Sequence, residues 1–545
     1  MLYPAVVTRK GRAQRQISSA FTVPAPTGGI NASDAYTNMK PTDAINLVNV
    51  FPEANYIDVR RGYAVQATGL INAVQTLLVW NGSTGVDKLF GAAGSVIYDA
   101  TATGTATSAV TGLTNAKWQW TNIKTAGGQY LVCCNGADSV RNYDGTTWTT
   151  PAITVATSST LVNVCQFKER LWFAQINSLD LWYLPTQAIA GAAVSYPMGS
   201  VFRRGGYVVG LGSFSRDAGL GPDDFFAIAT SNGEVAVYQG TDPSSATTWA
   251  LVGMFDIGKP IGRRSMARLN GDLAIITQDG IISMQAALQF DRSAGQRAAI
   301  TAKIQTLFGQ FSRNYYTNFG WQPCVFPKAR YLIVNVPAVA DSSQTQLVMN
   351  TVTGAWCQFN NMNAGCWATA NDLLYFGGND GTVYQADSGY VDQPQGVLSF
   401  VNNSNGLLIF QNNTGGNLVF QVNSTQNINW EIQTAWQLHG GDANKRFTMV
   451  QPIMLTGGGV EFAMGVDVDF YTETPVGVLT TPTLTGAVWP FTWPLTWGGD
   501  NALDARWRSV GSIGIWSSIH QTGVVKGSSC QINSYNLVAQ RGGIL

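Results

Sequence analysis

The chain has 545 residues, with 32 basic and 32 acidic side chains and therefore no net formal charge at neutral pH. Non-specific binding to DNA or to an anionic membrane surface requires a surplus of Lys and Arg, so this balance excludes a protein whose whole surface binds polyanions. Only 12% of the residues are charged, whereas glycine occurs 59 times and aromatic residues reach 11%. Such usage is typical of strands joined by tight turns, and we expect a mainly β protein.

The first residues contain no apolar segment of signal-peptide length, and no window approaches the ~18 apolar residues of a membrane-spanning helix. We therefore expect a soluble protein that is made in the cytosol. A short basic run, TRKGRAQR, lies near the start and contains Arg9, Lys10, Arg12 and Arg15. The preferred interpretation is a solvated terminal arm, and contact with a partner or with DNA is the alternative.

Residues 26–63 read PTGGINASDAYTNMKPTDAINLVNVFPEANYIDVRRGY and are dense in turn-forming residues. Pro41 and Asp43 favour the start of a short helix over residues 44–48, and Pro52 prevents its continuation. Arg60 and Gly62 then lead into the first strand. We expect this segment to be a clamp that fixes the entry of the chain into the fold.

From residue 70 to residue 390 the chain repeats a turn followed by a short strand that contains an aromatic residue. Examples are AGSVIYDA, NGEVAVYQG and NDGTVYQAD, and another apolar strand often precedes the turn. Two such strands form a hairpin, and a hairpin that recurs at intervals of roughly 40 to 55 residues is typical of propeller blades. We therefore predict a β-propeller of about six or seven blades, an architecture in which radial repetition protects the sheet edges.

Two turns of this region, DGTTW at 144–148 and TGAW at 353–356, end in tryptophan. We expect Asp144 or Thr353 to cap the turn while Trp148 or Trp356 packs between blades. Both turns resemble the Asp-box turn of sialidase-type propellers. In that family the box is a folding element, so the resemblance implies no catalytic role.

One segment within this region has the periodicity of a helix. Residues 291–312 place apolar side chains at spacings of three and four, which predicts one amphipathic helix. These side chains are Ile300, Ile304, Leu307, Phe308 and Phe311. We expect the helix to pack across the propeller, and insertion into a neighbouring subunit is the alternative.

The composition changes after the propeller region. Residues 391–430 are rich in Asn and contain the near-repeats LIFQNN and LVFQVN, which predict a polar hairpin insertion. Residues 431–545 alternate apolar and polar positions, which predicts a C-terminal β-unit that is either a sandwich or the closing blades of the propeller. The sequence thus divides into an N-terminal arm and clamp segment (1–69), the propeller (70–390), the insertion (391–430) and the C-terminal unit (431–545).

Residues with catalytic or metal-binding potential form no recognisable motif. His439 and His520 are distant in sequence, and we expect both to be structural. The adjacent Asp223 and Asp224 would point to opposite faces of a strand. The cysteines lack zinc-type spacing, so we expect buried thiols at positions 133, 134, 165, 324, 357, 366 and 530. The sequence predicts no catalytic residue, no cofactor and no metal site.

The stretch VWPFTWPLTW places Trp489, Trp493 and Trp497 four residues apart, while Pro490 and Pro494 exclude an ordinary helix. An exposed set of tryptophans would suit sugar or partner binding, and these three are the candidate partner-binding aromatics. A buried loop with a structural or subunit-interface role is the preferred interpretation.

The segment from residue 26 to residue 63 resembles the N-terminal signature of the nozzle proteins of short-tailed bacteriophages, also called tail tubular protein B or packaged-DNA stabilisation proteins. Shorter resemblances follow in PKARYLIVNVP, VMNTVTGAWCQF, TAW, KRF and the terminal GGIL. The candidate interface or clamp residues within the signature are Gly28, Gly29, Asn31, Asp34, Pro41, Asp43, Asn49, Pro52, Arg60 and Gly62.

The resemblance implies a non-enzymatic structural protein of the virion, made in the host cytoplasm. A homo-hexamer would form the distal ring of the tail, below an adaptor protein. Fibres or spikes would attach to the outside of this ring. Double-stranded DNA would pass through its lumen and be retained until ejection. The alternative is a glycan-binding or glycan-hydrolysing, sialidase-like propeller, which requires a convergent arginine cluster with a tyrosine or carboxylate nucleophile. Arg203, Arg204, Arg263 and Arg264 are candidates for that cluster, and the preferred interpretation of these two pairs is that they are interface or solvated residues.

Overall fold

The computed structural model describes residues 18–83, 85–217, 222–289, 299–338, 344–398, 400–401, 407–408, 410–411, 417–418, 420–423, 425–482 and 501–541. Strands dominate this part of the chain and helices are few, so the prediction of a mainly β protein is confirmed. Among these residues no helix has the length and apolar character needed to cross a membrane.

Seven antiparallel groups of three or four strands surround a common axis, because each group contacts the next and the last contacts the first. This arrangement is a β-propeller, as predicted. Blade 1 consists of the strands Val74–Trp80, Lys88–Ala93, Val96–Asp99 and Thr107–Val110. Blade 2 consists of Gln119–Thr125, Gly128–Cys134, Arg141–Tyr143 and Trp148–Thr149. Blade 3 consists of Leu161–Phe167, Arg170–Gln175, Asp180–Tyr183 and Val194–Pro197. A short parallel pair, Ile153–Thr154 with Gly191–Ala192, lies beside blade 3.

Blades 4 to 7 complete the ring. Blade 4 consists of Val208–Asp217, Pro222–Thr230, Glu234–Gly240 and Trp249–Asp256, and blade 5 of Met266–Leu269, Asp272–Thr277 and Gly280–Ser283. Blade 6 consists of Gln322–Phe326, Tyr331–Val336, Gln344–Asn350 and Trp356–Met362. Blade 7 consists of Ala364–Ala370, Leu373–Gly378, Val383–Ala386 and Tyr63–Thr68. Blade 5 has three strands, and the backbone N–H of Ile300 donates to the carbonyl of Ile281 along its open edge.

The strand that closes blade 7 comes from the N-terminal side of the chain. Tyr63–Thr68, which the sequence analysis assigned to the N-terminal arm, pairs with Val383–Ala386 and also with the short strand Gly104–Thr105. The strands of the C-terminal unit, named as a possible source of closing strands, pair with one another and with the N-terminal strands Ser18–Pro24, Asp43–Val48 and Ile57–Val59. Closure by a distant segment joins the two ends of the ring and covers an edge that would otherwise be open.

Two larger sheets stand beside the propeller. The outer strand of blade 6 pairs in parallel with Asp43–Val48, so that blade 6 belongs to a ten-stranded sheet. Its other strands are Gly29–Ile30, Ile428–Thr434, Ser517–Val525, Glu461–Val468 and Leu479–Thr480. The second sheet contains the eight strands Ser18–Pro24, Val50–Pro52, Ile57–Val59, Lys445–Thr456, Ala502–Asp504, Arg508–Ser509, Ile513–Gly514 and Cys530–Arg541.

The prediction of a short helix over residues 44–48 is wrong. Asp43–Val48 is a strand, with Ala44 and Leu47 fully buried. It pairs with Ile428–Thr434 on one side and with blade 6 on the other. Pairing of both edges satisfies the backbone N–H and C=O groups, and this tertiary context overrides the local helix-start signal of Pro41 and Asp43.

The principal helix runs over Gln305–Tyr315 and follows a 3-10 turn at Ala302–Ile304. It thus begins later and ends later than the predicted segment, of which residues 291–298 lie outside the described residues. Ile304 and Phe308 are buried in the largest core cluster, while Ile300, Leu307 and Phe311 pack against it. Among the described residues, the other helical segments are Met284–Ala287, Ser158–Thr160 and Pro327–Ala329.

The first of the two tryptophan-containing turns, DGTTW, packs as expected. The Asp144 carboxylate accepts hydrogen bonds from the backbone N–H groups of Thr146 (2.8 Å) and Thr147 (2.7 Å), which hold the pKa of Asp144 at about 2, the Thr147 bond having the larger effect. Trp148 then meets Phe90 of blade 1, with ring centroids 5.0 Å apart. An aromatic contact of this kind fixes the spacing of neighbouring blades.

Three short strand pairs lie within the described parts of the Asn-rich insertion. They are Gln395–Leu398 with Phe420–Asn423, Phe400–Val401 with Leu407–Leu408, and Phe410–Gln411 with Asn417–Leu418. All three pairs are antiparallel. The divisions at residues 390 and 430 stay predictions.

Candidate functional site

The first half of the N-terminal signature is organised around the buried carboxylate of Asp43. Its Oδ2 accepts a hydrogen bond from Asn31 Nδ2 at 2.8 Å, and its Oδ1 lies 2.7 Å from Lys303 Nζ. The same ammonium donates to the carbonyl of Gly28 at 2.6 Å, and Asn31 Nδ2 also donates to Asp34 Oδ2 at 2.9 Å. These contacts tie the turns of residues 28–34 to the 3-10 turn that precedes the principal helix.

The second half of the signature is organised around Arg60, which is completely buried together with Asp392. The two Arg60 terminal nitrogens donate to the two carboxylate oxygens of Asp392 at 2.8 and 2.6 Å. Arg60 Nε donates to Asn49 Oδ1 at 2.8 Å, and a terminal nitrogen also donates to the Asn360 carbonyl at 3.1 Å. Asn49 Nδ2 in turn donates to the carbonyl of Asn429 at 2.7 Å.

We call the set Asn31, Asp43, Asn49, Arg60, Lys303 and Asp392 the clamp. Through Asn360 it reaches blade 6, through Asp392 the segment that follows blade 7, and through Asn429 the C-terminal part of the ten-stranded sheet. A bidentate Arg–carboxylate pair fixes direction as well as distance. The clamp therefore holds three parts of the chain in one arrangement.

Two glycines of the signature are required by close backbone approach. Gly29 has a φ of 76°, and a Cβ there would lie 2.4 Å from the backbone nitrogen of Trp356. A Cβ on Gly62 would lie 1.8 Å from the carbonyl oxygen of Val391. Glycine at both positions lets the signature lie directly against blade 6 and the segment after blade 7.

The two prolines have lesser roles. Pro52 is buried in the eight-stranded sheet, and its carbonyl accepts a hydrogen bond from Asn350 Nδ2 at 3.0 Å. Pro41 is exposed, and its carbonyl accepts from Gln437 Nε2 at 3.4 Å. The ten candidate residues thus lie in one region of the fold, where they join distant parts of the same chain.

Several sequence candidates fall outside the described residues. These are Trp489, Trp493 and Trp497, the basic run at positions 9–15 and the terminal GGIL. Their proposed roles stay predictions.

His520 lies between two carboxylates in the ten-stranded sheet. Its Nε2 is 3.0 Å from Glu431 Oε1, and its Nδ1 is 3.2 Å from Asp467 Oδ2 and 2.9 Å from the carbonyl of Glu473. Burial on its own would lower the pKa of His520, but the bonds to Asp467 and Glu431 raise that pKa to about 9. The imidazole is therefore positively charged at neutral pH and acts as the centre of an ion-pair network.

His439 is in the opposite situation. Burial, with a contribution from the nearby Lys445 charge, lowers the pKa of His439 to about 4. Its ring packs against Phe21 with centroids 5.4 Å apart. This histidine is neutral at physiological pH and serves as a packing residue.

A concave groove of about 450 Å³ opens beside Glu431. Glu431 and Glu461 flank the strand Ser517–Val525, opposite Thr522 and Val524, and therefore lie on the same face of the sheet. Asn361 and Asn429 also line the groove. Glu461 forms a 2.5 Å ion pair with Lys526, so the groove presents amide and carboxylate groups with one nearby ammonium.

Other sequence candidates have ordinary structural partners. Asp224 accepts hydrogen bonds from Lys168 Nζ at 2.7 Å and Ser215 Oγ at 2.8 Å. Arg204 pairs with Asp256 at 2.7 Å, and the backbone N–H of Arg203 donates to the Glu234 carboxylate. Arg263 and Arg264 instead line a cavity on the propeller axis.

The cysteine thiols have low reactivity. Six are buried and Cys165 is partly buried, and burial raises the pKa of Cys324 and of Cys165 to about 12. Thiols with such pKa values carry almost no thiolate at neutral pH. Within the described ranges, no group of three or more His, Cys, Asp or Glu side chains is placed to hold a metal ion.

The sequence analysis missed the partners that complete the clamp. Asp392 is 332 positions from Arg60, and Lys303 is 260 positions from Asp43. No sequence motif marks Asp392 or Lys303. The general rule that a buried charge requires an opposite charge predicts that such partners exist, but not where they are in the sequence. The carboxylates around His520 carried no motif and were missed for the same reason.

No protein-family model matches this chain, and no curated protein matches it. Among solved structures, a streptogramin B lyase covers 58% of this chain and 95% of its own, with 12% identity and a TM-score of 0.36. The Cps50 (Swd1) β-propeller domain of Myceliophteria thermophila covers 59% and 99%, with 12% identity and a TM-score of 0.37.

A glycoside hydrolase family 43 arabinoxylan arabinofuranohydrolase from Bacillus subtilis, solved with cellotetraose, covers 93% of this chain and 96% of its own. Its identity is 9% and its TM-score is 0.21. At these values the three similarities say nothing about activity in this chain.

Proposed function

We propose that this chain is a structural virion protein that forms the distal nozzle ring of a short phage tail, closes the DNA channel and retains packaged DNA until ejection. The observation that carries the proposal is the N-terminal signature, whose residues resemble those of nozzle proteins. In the folded chain these residues build the clamp, which couples the propeller to the sheets beside it. The distinguishing residues of the sequence therefore serve mechanical coupling, and we propose no catalytic role for the protein.

The physical demands of a nozzle agree with this arrangement. A subunit of a ring needs two different contact faces, because a heterologous interface repeats around the axis until the ring closes. If the propeller and the adjacent sheets supply such faces, the clamp fixes the angle between them. The absence of net charge also suits a conduit, since a strongly basic lining would bind DNA rather than let it slide.

In this proposal the partners are five further copies of the chain, a tail adaptor protein, fibres or spikes on the outer surface, and double-stranded DNA in the lumen. The protein is made in the host cytoplasm and resides at the distal end of the tail. Each assignment rests on the resemblance, and each is open to direct localisation.

The experiment is immunogold labelling of phage particles from the source lysate, with antibodies raised against the purified full-length protein and pre-immune serum as the control. We expect gold at the distal tip of the tail and none on free fibres. Absence of label from both intact and disrupted particles would overturn the nozzle proposal.

The groove beside Glu431 favours a second candidate function, glycan binding or hydrolysis. Two carboxylates on one face of a sheet, next to Asn361 and Asn429, are groups that bind sugar hydroxyls. Paired carboxylates are also the usual catalytic groups of glycoside hydrolases. This candidate requires that Glu461 remain available despite its pairing with Lys526.

Glycan-array binding and reducing-sugar release distinguish this second candidate from the first. The E461Q variant removes one groove carboxylate, and E53Q, which changes a glutamate outside the groove, is the matched control. Binding or release that E461Q abolishes and E53Q retains would establish the glycan function. A wild-type protein that neither binds nor cleaves any glycan on the array would exclude it.

A further inference from the structure

The axis of the propeller contains a small cavity of about 230 Å³, lined near the starts of the innermost strands. Arg263 and Arg264, which precede the first strand of blade 5, both line it, together with Gln119, Asn163 and Gln322. No described Asp or Glu is part of the lining. The cavity is therefore a polar space that holds two cations and, within the described chain, no carboxylate.

Arg264 is held in place by neutral acceptors. Its terminal nitrogens donate to the carbonyls of Gln75 at 2.7 Å and Trp118 at 3.2 Å, and to the hydroxyl of Thr76. A guanidinium has five N–H donors, so these three contacts leave donors for a further acceptor. Enclosure by protein lowers the pKa of Arg264 to about 10, and the group stays charged at neutral pH.

Arg263 is less constrained. Its carbonyl accepts a hydrogen bond from Asn163 Nδ2 at 3.3 Å, while its side chain forms no ion pair with a described residue. Burial lowers the pKa of Arg263, with Tyr207 and Cys134 as opposing influences and no carboxylate among them. Arg263 is only partly buried, so its guanidinium is accessible to an anion that enters the cavity.

A third cation and an unpartnered amide lie close by. The ring of Phe319 is 4.8 Å from Arg264 Cζ and 4.9 Å from Lys117 Nζ, so both cations face the same aromatic ring. Gln119, which lines the cavity and is 9% exposed, has a side-chain Nε2 without a hydrogen-bond partner. The region thus has spare donors and positive charge.

We propose that the axial cavity binds a small oxyanion, with Arg263 as the principal ligand, Arg264 as a preoriented second ligand and Gln119 as an amide donor. The volume is below the ~300 Å³ of ordinary small-molecule pockets, which restricts the ligand to an ion of the size of phosphate or a short carboxylate. Guanidinium groups bind both classes through paired N–H donors. Bound anion would bridge blade 2 and blade 5 and neutralise part of the positive charge of the two arginines.

The test uses the full-length protein in thermal unfolding and isothermal titration calorimetry with inorganic phosphate, acetate or chloride at equal ionic strength. We expect phosphate or acetate at about 10 mM to raise the melting temperature above its value in chloride, with a dissociation constant near 1 mM or below. Stabilisation by phosphate alone identifies a phosphate-type ligand, and stabilisation by acetate alone identifies a carboxylate.

The variants are R263A, R263K and the matched control R446A, which removes an exposed arginine of the eight-stranded sheet. R263A is expected to weaken binding at least tenfold, R263K to weaken it less, and R446A to leave it unchanged. Circular dichroism establishes that each variant is folded, and R263K decides the case should R263A not fold. A double variant that combines R263K with Q119L removes the Arg263 guanidinium and the Gln119 amide together. Anion binding by this double variant equal to that of the wild type, or no anion response in the wild type, would overturn the proposal.

This inference does not depend on the nozzle proposal. A protein found at the tail tip can lack the anion site, and a protein absent from the virion can possess it. The two experiments therefore fail separately.

Discussion

Two arginines of this molecule, Arg60 and the partly buried Arg264, differ in what surrounds them. Arg60 in the clamp has a carboxylate partner, and both side chains are inaccessible to solvent. Arg264 on the propeller axis has two carbonyls and a hydroxyl as acceptors and no carboxylate partner among the described residues. The first site is electrostatically complete within the chain, whereas the second has capacity for an added anion.

This difference assigns a structural role to the site of Arg60 and a ligand-binding role to the site of Arg264. Ion pairs enclosed in a protein are expensive to break, because each loss leaves the other charge desolvated and alone. An enclosed charge without a counter-ion is expensive to keep, and a ligand that supplies the counter-ion recovers part of that cost. The clamp is therefore expected to govern stability, and the axial cavity to govern the response to small ions.

Breaking the clamp gives the largest expected effect. Replacement R60M leaves the Asp392 carboxylate buried without its partner and should lower the free energy of unfolding by about 3–5 kcal/mol. Urea unfolding followed by tryptophan fluorescence measures the change. The matched control is R330M, because Arg330 pairs with Glu53 at 2.5 Å while its own side chain is 49% exposed.

The control should lose less than about 1 kcal/mol, as exposed pairs usually do. Similar losses in R60M and R330M would show that the buried pair contributes no more than an exposed one, and would remove the first half of the comparison.

The backbone approach at Gly62 should give the second largest effect. A G62A variant would place Cβ 1.8 Å from the Val391 carbonyl oxygen, so the two backbone segments must move apart and about 2–3 kcal/mol of stability should be lost. The control is G199A, where a Cβ meets no atom within 4 Å. A melting temperature for G62A equal to that of G199A would mean that the segment after blade 7 yields without cost.

His520 extends the comparison to a titratable cation. Its folded-state pKa of about 9 exceeds the ordinary value of 6.5, so its stabilising contribution is complete below pH 6.5 and is lost as the pH rises through 9. At pH 6 the H520Q variant should be about 1.5–2 kcal/mol less stable than wild type, because hydrogen bonds to charged groups are lost. The difference should shrink toward pH 10.

Urea unfolding at pH 6, 8 and 10 measures that dependence. The control is H439Q, since His439 is neutral across this range and its variant should show no such trend. A constant difference between H520Q and wild type from pH 6 to pH 10 would rule out a charged imidazole.

Local patterns were sufficient to predict the propeller, because hairpins and turns are recorded in adjacent residues. The turn of Asp144 and Trp148 is an example, as its cap and its aromatic contact follow from spacing alone. Asp43–Val48 was predicted as a helix because its pairing strands, Ile428–Thr434 and Trp356–Met362, are more than 300 residues away. Local propensity contains no record of such pairing.

The sites were predictable only in part for the same reason. The signature identified Arg60, Asp43 and Asn49, which are close in sequence, but not Asp392 or Lys303. The axial cavity could not be predicted, because it exists only where the first residues of separate blades meet. A ring built from repeats brings together residues that have no sequence relation to one another.

Replacement of Arg264, which has no carboxylate partner among the described residues, should give the smallest effect on stability. In R264M the carbonyls of Gln75 and Trp118 lose a donor, which destabilises, but a partly buried charge that has no described carboxylate partner is also removed, which stabilises. We expect a net loss of about 1 kcal/mol or less in chloride, measured by urea unfolding, against the 3–5 kcal/mol of R60M. In phosphate the gap between wild type and R264M should widen, because only the wild type has both guanidinium groups to bind the ion. A loss in chloride as large as that of R60M would show that Arg264 is as fully compensated as Arg60, and the axis would then be a second clamp rather than a binding site.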